Sequence, residues 1–361
     1  MRNLGFGFLR LPTIGEALDY VQIEKMIDVF LSSGGSWFDT AYTYMDGKCE
    51  EAIGKCLSAR YPRERFQLTS KLPGYQVTSY EDCYRYFEES ARRCGVEWFD
   101  VYMLHWLDQK HYALAEKYRE FDFLQELKRT GKAKRIGFSF HDTAELLERI
   151  LTRHPEVDCV LLQVNYLDYD SPAVQSRKCL EVCKKHGKSV IVMEPVKGGT
   201  LVKVPETAQR ILAQMEYPLS PAAHAIRFAR SLPGIEMVLT GVRSVEQMAE
   251  NLAASQPVSP ADLELYRQAA QVIREATAVG CTGCGYCRSG CPMEVNIPGC
   301  FAMYNEYSLY PRHLWKIEPA YGELIGGKAG DCIGCGACLE RCPQKLEIPR
   351  LLKKAAEVFG K

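Results

Sequence analysis

Ser36-Trp37-Phe38-Asp39-Thr40-Ala41-Tyr42-Thr43-Tyr44 sets a short apolar run ahead of a carboxylate and a phenol. Phe38 ends a strand, and Asp39 and Tyr44 stand just beyond it. An acid beside a tyrosine is common in protein cores and decides nothing alone. Two later stretches repeat the arrangement: Phe66-Gln67-Leu68-Thr69-Ser70-Lys71 and Val101-Tyr102-Met103-Leu104-His105 are again apolar strands ending in one ionisable residue. Three consecutive strands that deliver Asp, Lys and His to the same relative position are what a parallel barrel uses to assemble a site on one face.

Outward from these strands the chain alternates regularly. Residues 4–8 form an apolar strand closed by Leu11-Pro12, and residues 23–31 have helical spacing before the breaker Gly34-Gly35. Helices are expected at 48–60, 80–94 and 115–129, each following one of the three strands. Further strands are expected at 134–139, 159–164, 189–193 and 236–240, with helices from 142, around 173–186 and from Val245 to Ala254. Eight such alternations imply a closed (β/α)8 TIM barrel rather than an open sheet. Ser259-Pro260 then caps a helix through Ile273, and the composition turns rich in Cys, Gly and Pro. The boundary is placed near 277, giving a barrel over 1–276 and a small domain over 277–361.

With 361 residues and 47% hydrophobic content, the chain has material for a large packed core. Its 45 Lys and Arg balance 45 Asp and Glu, so no net field draws nucleic acid or an anionic membrane. The cluster from Lys128 to Arg135 sits where a helix ends, and cations there complement its dipole. No window reaches 18 apolar residues, and Arg10 interrupts the amino-terminal run, so neither a spanning helix nor a signal peptide is expected. The expected location is the cytoplasm.

The barrel residues resemble the aldo-keto reductases from Leu4-Gly5-Phe6-Gly7 through Val238-Leu239-Thr240-Gly241-Val242-Arg243 to Glu250-Asn251. The family's tetrad falls on Asp39, Tyr44, Lys71 and His105. The resemblance implies carbonyl reduction, or the reverse alcohol oxidation, with NADP or NAD. Tyr44 would be the proton donor, Lys71 would ease proton release, Asp39 would hold Lys71, and His105 would orient the carbonyl. It also implies that Ser139 and Gln163 hold the nicotinamide carboxamide. Lys197, Gly198 and Gly199 would cradle the pyrophosphate, and Gly241, Arg243, Gln247 and Asn251 would hold the adenosine end. Arg243 would favour NADP through a 2′-phosphate, although NADP-preferring relatives often carry Arg where Gln247 stands. Two positions depart from the family: Phe140-His141 follows Ser139, and Met193 replaces the aromatic that stacks on the nicotinamide. The amino-terminal hairpin that plugs many of these barrels is not evident, so a different closure of the floor is expected. Tyr42 and Trp106 are expected to line the substrate pocket.

Of 16 cysteines, eight fall in two runs: Cys281-x2-Cys284-x2-Cys287-x3-Cys291-Pro292 and Cys332-x2-Cys335-x2-Cys338-x3-Cys342-Pro343. The others (Cys49, Cys56, Cys83, Cys94, Cys159, Cys179, Cys183 and Cys300) are read as small core residues. Both runs resemble the bacterial ferredoxin motif, whose fourth cysteine ligates the other cluster. That resemblance implies one [4Fe-4S] cluster on Cys281, Cys284, Cys287 and Cys342, and a second on Cys332, Cys335, Cys338 and Cys291. A zinc site is the alternative, but a third cysteine and a Cys-Pro ending, repeated twice, do not suit it. With helices expected at 297–307 and 348–359, the segment resembles an α-helical ferredoxin domain.

A nicotinamide moves two electrons as a hydride, whereas a cluster moves one. The leading reading is therefore an NAD(P)H-dependent reductase of a small carbonyl or alcohol substrate, whose clusters are structural or serve a ferredoxin or other redox partner. The alternatives are a flavin- or ferredoxin-linked reductase fed by the clusters, and a redox-sensing subunit without turnover.

Overall fold

The computed structural model describes residues 3–309 and 311–360. The chain divides into two compact units, the first running to residue 195 together with 223–258, the second comprising 196–222 and 259–361. Among the described residues, all ten strands lie in the first: β1 (Leu4–Gly7), β2 (Thr13–Ile14), β3 (Ala17–Leu18), β4 (Trp37–Asp39), β5 (Gln67–Leu72), β6 (Phe99–Leu107), β7 (Ala133–Phe140), β8 (Cys159–Gln163), β9 (Ser189–Met193) and β10 (Ile235–Thr240). Strands β1 and β4–β10 close a parallel barrel in sequence order, while β2 and β3 form a small antiparallel hairpin. Every residue of β6 is buried, as expected of a parallel strand covered on both faces.

Side-chain alternation sorts the two faces of the wall. Val101 and Met103, Cys159 and Leu161, and Met237 and Leu239 fill the barrel interior with Trp37 and Ile191. Phe38 points outward and meets the edge of Phe30, with ring centroids 5.3 Å apart. The floor is closed by an ion pair at the amino-terminal ends of the strands. Arg135 donates to both carboxylate oxygens of Glu236 (2.5 and 2.8 Å) and to Ser189 (2.6 Å).

Most expected helices are present, with two local differences. The segment expected as one helix over 115–129 is two, Gln109–Lys117 and Glu120–Arg129. The break falls at Arg119, whose φ of 59° no helix interior accepts. The helix after Tyr44 is regular only over Lys48–Ile53, then widens into a π-turn at 54–58.

In the second unit, the helices Ile297–Leu309, Leu314–Gly322 and Ile348–Phe359 surround a core of Val295, Ile297, Phe301, Tyr321, Leu352 and Phe359. The helix Pro260–Ala276 packs on Glu206–Leu212, and both belong to this compact unit. The helix Pro260–Ala276 buries a stripe of Tyr266, Ala269, Ala270 and Ile273. All eight scattered cysteines are buried. Among the described residues, no helix is long and apolar enough to cross a membrane.

Candidate active site and cysteine cavities

Asp39, Lys71 and His105 emerge at the carboxyl ends of β4, β5 and β6, where a barrel of this kind carries its chemistry. Lys71 is fully buried, and its ammonium donates to Asp39 Oδ1 and to the Thr40 carbonyl oxygen, both at 2.7 Å. Burial opposes both charges, pushing Asp39 up and Lys71 down, while the mutual attraction of the pair works the other way. Asp39 Oδ2 is buried without a hydrogen bond, so the carboxylate depends on Lys71.

Tyr44 comes from the turn after β4, at the start of Tyr44–Gly47. Lys71 Nζ lies 4.8 Å from the centre of its ring, and the His105 ring meets it edge-on at 5.6 Å. The four residues expected to act together are thus brought together. Burial holds His105 well below the usual imidazole range, and the fields of Lys71, His141 and His111 add to this. A neutral imidazole can donate a hydrogen bond without acting as the acid.

Several neighbours carry no sequence signal of their role. Tyr75, from the turn after β5, touches His105 (6.0 Å), Trp106 (5.9 Å) and His111 (5.7 Å). His141 adjoins Trp106 at 6.1 Å. This aromatic wall is built largely from loops, where no periodicity marks a residue. Behind Lys71, the buried Glu50 accepts from Ser70 at 2.7 Å and from Arg93 at 3.4 Å. Trp106 lies in this wall, whereas Tyr42 does not. Its hydroxyl donates to Glu89 at 2.8 Å, and the Arg93 guanidinium covers its ring at 4.4 Å, which turns it toward the helix Tyr80–Cys94.

Trp106 has a left-handed backbone, φ 64°, where the pairing of β6 with β7 shifts between Leu104 and Leu107. This bulge takes Trp106 out of the ladder, and its N–H donates instead to Ser139 Oγ at 2.7 Å.

In the second unit, Cys281, Cys284, Cys287 and Cys342 line one small cavity, and Cys291, Cys332, Cys335 and Cys338 line another. Each quartet joins three thiols of one run to the fourth of the other. The Cys287 thiol is pushed up by burial and then by Cys284, Cys281 and Cys342. Burial likewise raises Cys338, with Cys332, Cys335 and Cys291 adding to it. A quartet of thiols around a cavity fits a multi-iron cluster.

The model of the aldo/keto reductase family matches residues 3–270, about three quarters of the chain. The chain belongs to the aldo/keto reductase family. It is an oxidoreductase. A 4Fe-4S dicluster domain model matches residues 280–346. An aldo-keto reductase of Mycobacterium avium (strain 104) is 27% identical over 247 residues, covering 67% of this chain and 80% of the relative. The NADH-specific methylglyoxal reductase of Escherichia coli (strain K12) is 24% identical over 68% of this chain and 88% of its own. Among solved structures, the holo form of an aldo-keto reductase from Bacillus halodurans superposes with a TM-score of 0.61, at 22% identity, over 75% of this chain and 91% of that one. A Klebsiella pneumoniae aldo-keto reductase in complex with NADPH gives 0.57 at 21% identity, over 74% and 90%.

The positions expected to hold a nucleotide in this reductase fall into two groups. Ser139, Gln163 and Met193 stand at the carboxyl ends of β7, β8 and β9, with Gln163 and Met193 in register. The Gln163 amide nitrogen donates to Asp168 at 2.7 Å, which presents its carbonyl oxygen elsewhere. Asn251 donates to Thr240 at 2.8 Å, and Gln247 accepts from the main-chain N–H of Arg243, shaping the loop that starts at Gly241. Lys197, Gly198 and Gly199 belong to the second unit. There Gly198, φ 64°, packs so closely on Thr282 that an added Cβ would lie 1.9 Å from its carbonyl oxygen.

Proposed function

We propose that the barrel reduces an aldehyde or ketone with NADPH or NADH, or runs the reverse oxidation, and that the second unit carries two [4Fe-4S] clusters. The observation that carries the first part is the buried 2.7 Å Lys71–Asp39 pair, with the rings of Tyr44 and His105 beside it. A reduced nicotinamide bound by Ser139, Gln163 and the loop from Gly241 would supply the hydride. The residues supply the rest. Tyr44 gives its proton to the carbonyl oxygen as negative charge develops there. A nearby ammonium favours phenolate and so lowers the cost of that transfer. Lys71 has two N–H groups fixed by Asp39 and Thr40, leaving one for the phenol side. His105, kept neutral, donates a hydrogen bond to the carbonyl oxygen, while Tyr75 and Trp106 shape the substrate's surroundings.

Ser139 and Gln163 form part of the nicotinamide contact in this reading, with Met193 beside the ring and Arg243 and Asn251 toward the adenosine end. The two thiol quartets support the cluster assignment, and single-electron transfer or rigidity is what the clusters would add. A ferredoxin-like protein is the partner this chemistry suits. The test is Tyr44→Phe, assayed anaerobically with a simple aldehyde. General acid catalysis contributes about 10²–10⁴-fold, and the rate should fall by at least that much with the brown cluster absorbance unchanged. A variant that kept its activity would remove Tyr44 as the acid.

A further inference from the structure

The two cysteine cavities differ by one formal charge. The first, with Cys281, Cys284, Cys287 and Cys342, has Arg341 and Gln344 in its wall. The second is walled by apolar side chains such as Met293, Ile333 and Leu352, and no charged residue lines it. The sequence carries the same asymmetry, because the position before the fourth cysteine is Gly290 in the first run and Arg341 in the second. The fold brings these two positions together. Arg341 lies across the first run, and its Nη1 donates to Ser289 Oγ at 2.9 Å. An added Cβ on Gly290 would lie 2.5 Å from Arg341 Nε and 2.8 Å from Cζ, so any side chain at 290 would displace the guanidinium from this seat. Among the described residues Arg341 forms no ion pair, and its charge is left without a local counter-charge.

We propose that Arg341 sets the order in which the two clusters are reduced, making the one on Cys281, Cys284, Cys287 and Cys342 the easier to reduce. The proposal rests on the reading that both quartets hold [4Fe-4S] clusters. A cluster that takes up an electron gains one negative charge, and a cation beside it favours that form. Cluster potentials also follow exposure to solvent. Exposure favours the second cluster, but by less: each quartet has one buried thiol, and the second differs only in exposing Cys335 where the first has a part-buried thiol. A fixed charge acts on the whole added electron, whereas water at one thiol of four reaches only part of it. A single electron shared by the pair therefore rests on the first cluster. The reduced second cluster is oxidised, the first is reduced, and no bond or proton moves.

The experiment loads the full chain anaerobically with iron and sulfide to about eight irons. Dithionite then reduces it at a series of fixed potentials, and electron paramagnetic resonance reads each reduced cluster. Two midpoints are expected, and Cys281→Ala, which empties the first cavity, should retain only the lower. Arg341→Gln should lower the first midpoint alone, cutting the ratio of reduced to oxidised cluster about tenfold at a fixed potential, or about 59 mV for one electron. The second midpoint and the iron content should not change. Arg341→Lys keeps the charge and should restore most of the shift, which a merely structural tie to Ser289 would not do. Gly290→Ala should reproduce part of the loss with Arg341 still present. The proposal is overturned by coincident midpoints in the unaltered chain, by retention of the higher midpoint in Cys281→Ala, or by a first midpoint that Arg341→Gln leaves in place. Should Arg341→Gln lose iron, Arg341→Lys and Gly290→Ala decide instead, and equal first midpoints in those two would overturn it. A chain that takes up no iron would defeat the cluster reading, a result distinct from two clusters that ignore Arg341.

Discussion

Removing the Lys71 amine strands a buried carboxylate. Asp39 has one oxygen without a hydrogen bond and the other held by Lys71, so Lys71→Met should cost about 3–5 kcal/mol in anaerobic urea unfolding. Adding Asp39→Asn should recover much of that loss while the enzyme stays inactive; two losses that simply add would contradict the pairing. Glu120 poses the opposite case, an acid with no partner. It is 1% exposed, neither of its oxygens is hydrogen-bonded, and burial alone pushes its carboxyl up to about 8. An added Cβ on Gly74 would lie 2.4 Å from its carboxylate, so this acid packs directly against the turn that carries Tyr75. Because the folded-state value is raised, the unfolded chain ionises first. Stability is therefore full below the ordinary glutamate range and falls by about 1.4 kcal/mol per pH unit until pH passes about 8. Glu120→Met should flatten that slope and raise the melting temperature at pH 8; an unchanged profile would mean the acid finds a partner in solution.

At the scale of the element, the bulge in β6 decides how the site is aimed. Trp106 leaves the ladder in a left-handed conformation, and Ser139 Oγ takes the hydrogen bond that the strand has lost. Ser139→Ala should leave that buried N–H unsatisfied, cost about 1–3 kcal/mol, and lower kcat as His105 and Trp106 shift. A loss confined to KM for the nicotinamide nucleotide would instead assign Ser139 to the cofactor alone. The strands themselves were legible because a parallel strand buried on both faces reads as an unbroken apolar run, as in Val101-Tyr102-Met103-Leu104, and an ionisable residue closing three successive runs marks the carboxyl face. What could not be read comes from single-residue backbone choices and from loops. Nothing in Tyr118-Arg119-Glu120 announces a left-handed residue between two helices. Tyr42 and Tyr44 are two positions apart in one loop, and contacts with Glu89, Arg93 and Tyr86 on a distant helix turn one of them away from the site. The Arg135–Glu236 closure of the floor joins residues 101 positions apart, a separation no local pattern reports.

At the scale of the whole molecule, the cysteine runs tie the end of the chain to a segment 51 positions earlier, from Cys291 to Cys342. Each run contributes its fourth thiol to the cavity of the other, so two clusters held in this way would enclose the helices Ile297–Leu309 and Leu314–Gly322 between two cross-links. Metal binding of this kind is coupled to folding, because the liganded state exists only when both runs are in place. The exchange makes a prediction that chain order alone would get wrong. Cys342→Ala should empty the cavity of Cys281, Cys284 and Cys287 and reduce the bound iron by about half. Adding Cys281→Ala should then remove no further iron, because both thiols serve the same cavity. Adding Cys332→Ala instead should remove the rest, although Cys332 is the closer neighbour of Cys342 in sequence. Iron and sulfide analysis of these three proteins, purified without oxygen, separates the alternatives. The reverse outcome, with Cys281→Ala emptying what Cys342→Ala had left, would mean that each run binds its own cluster and that the two segments fold independently.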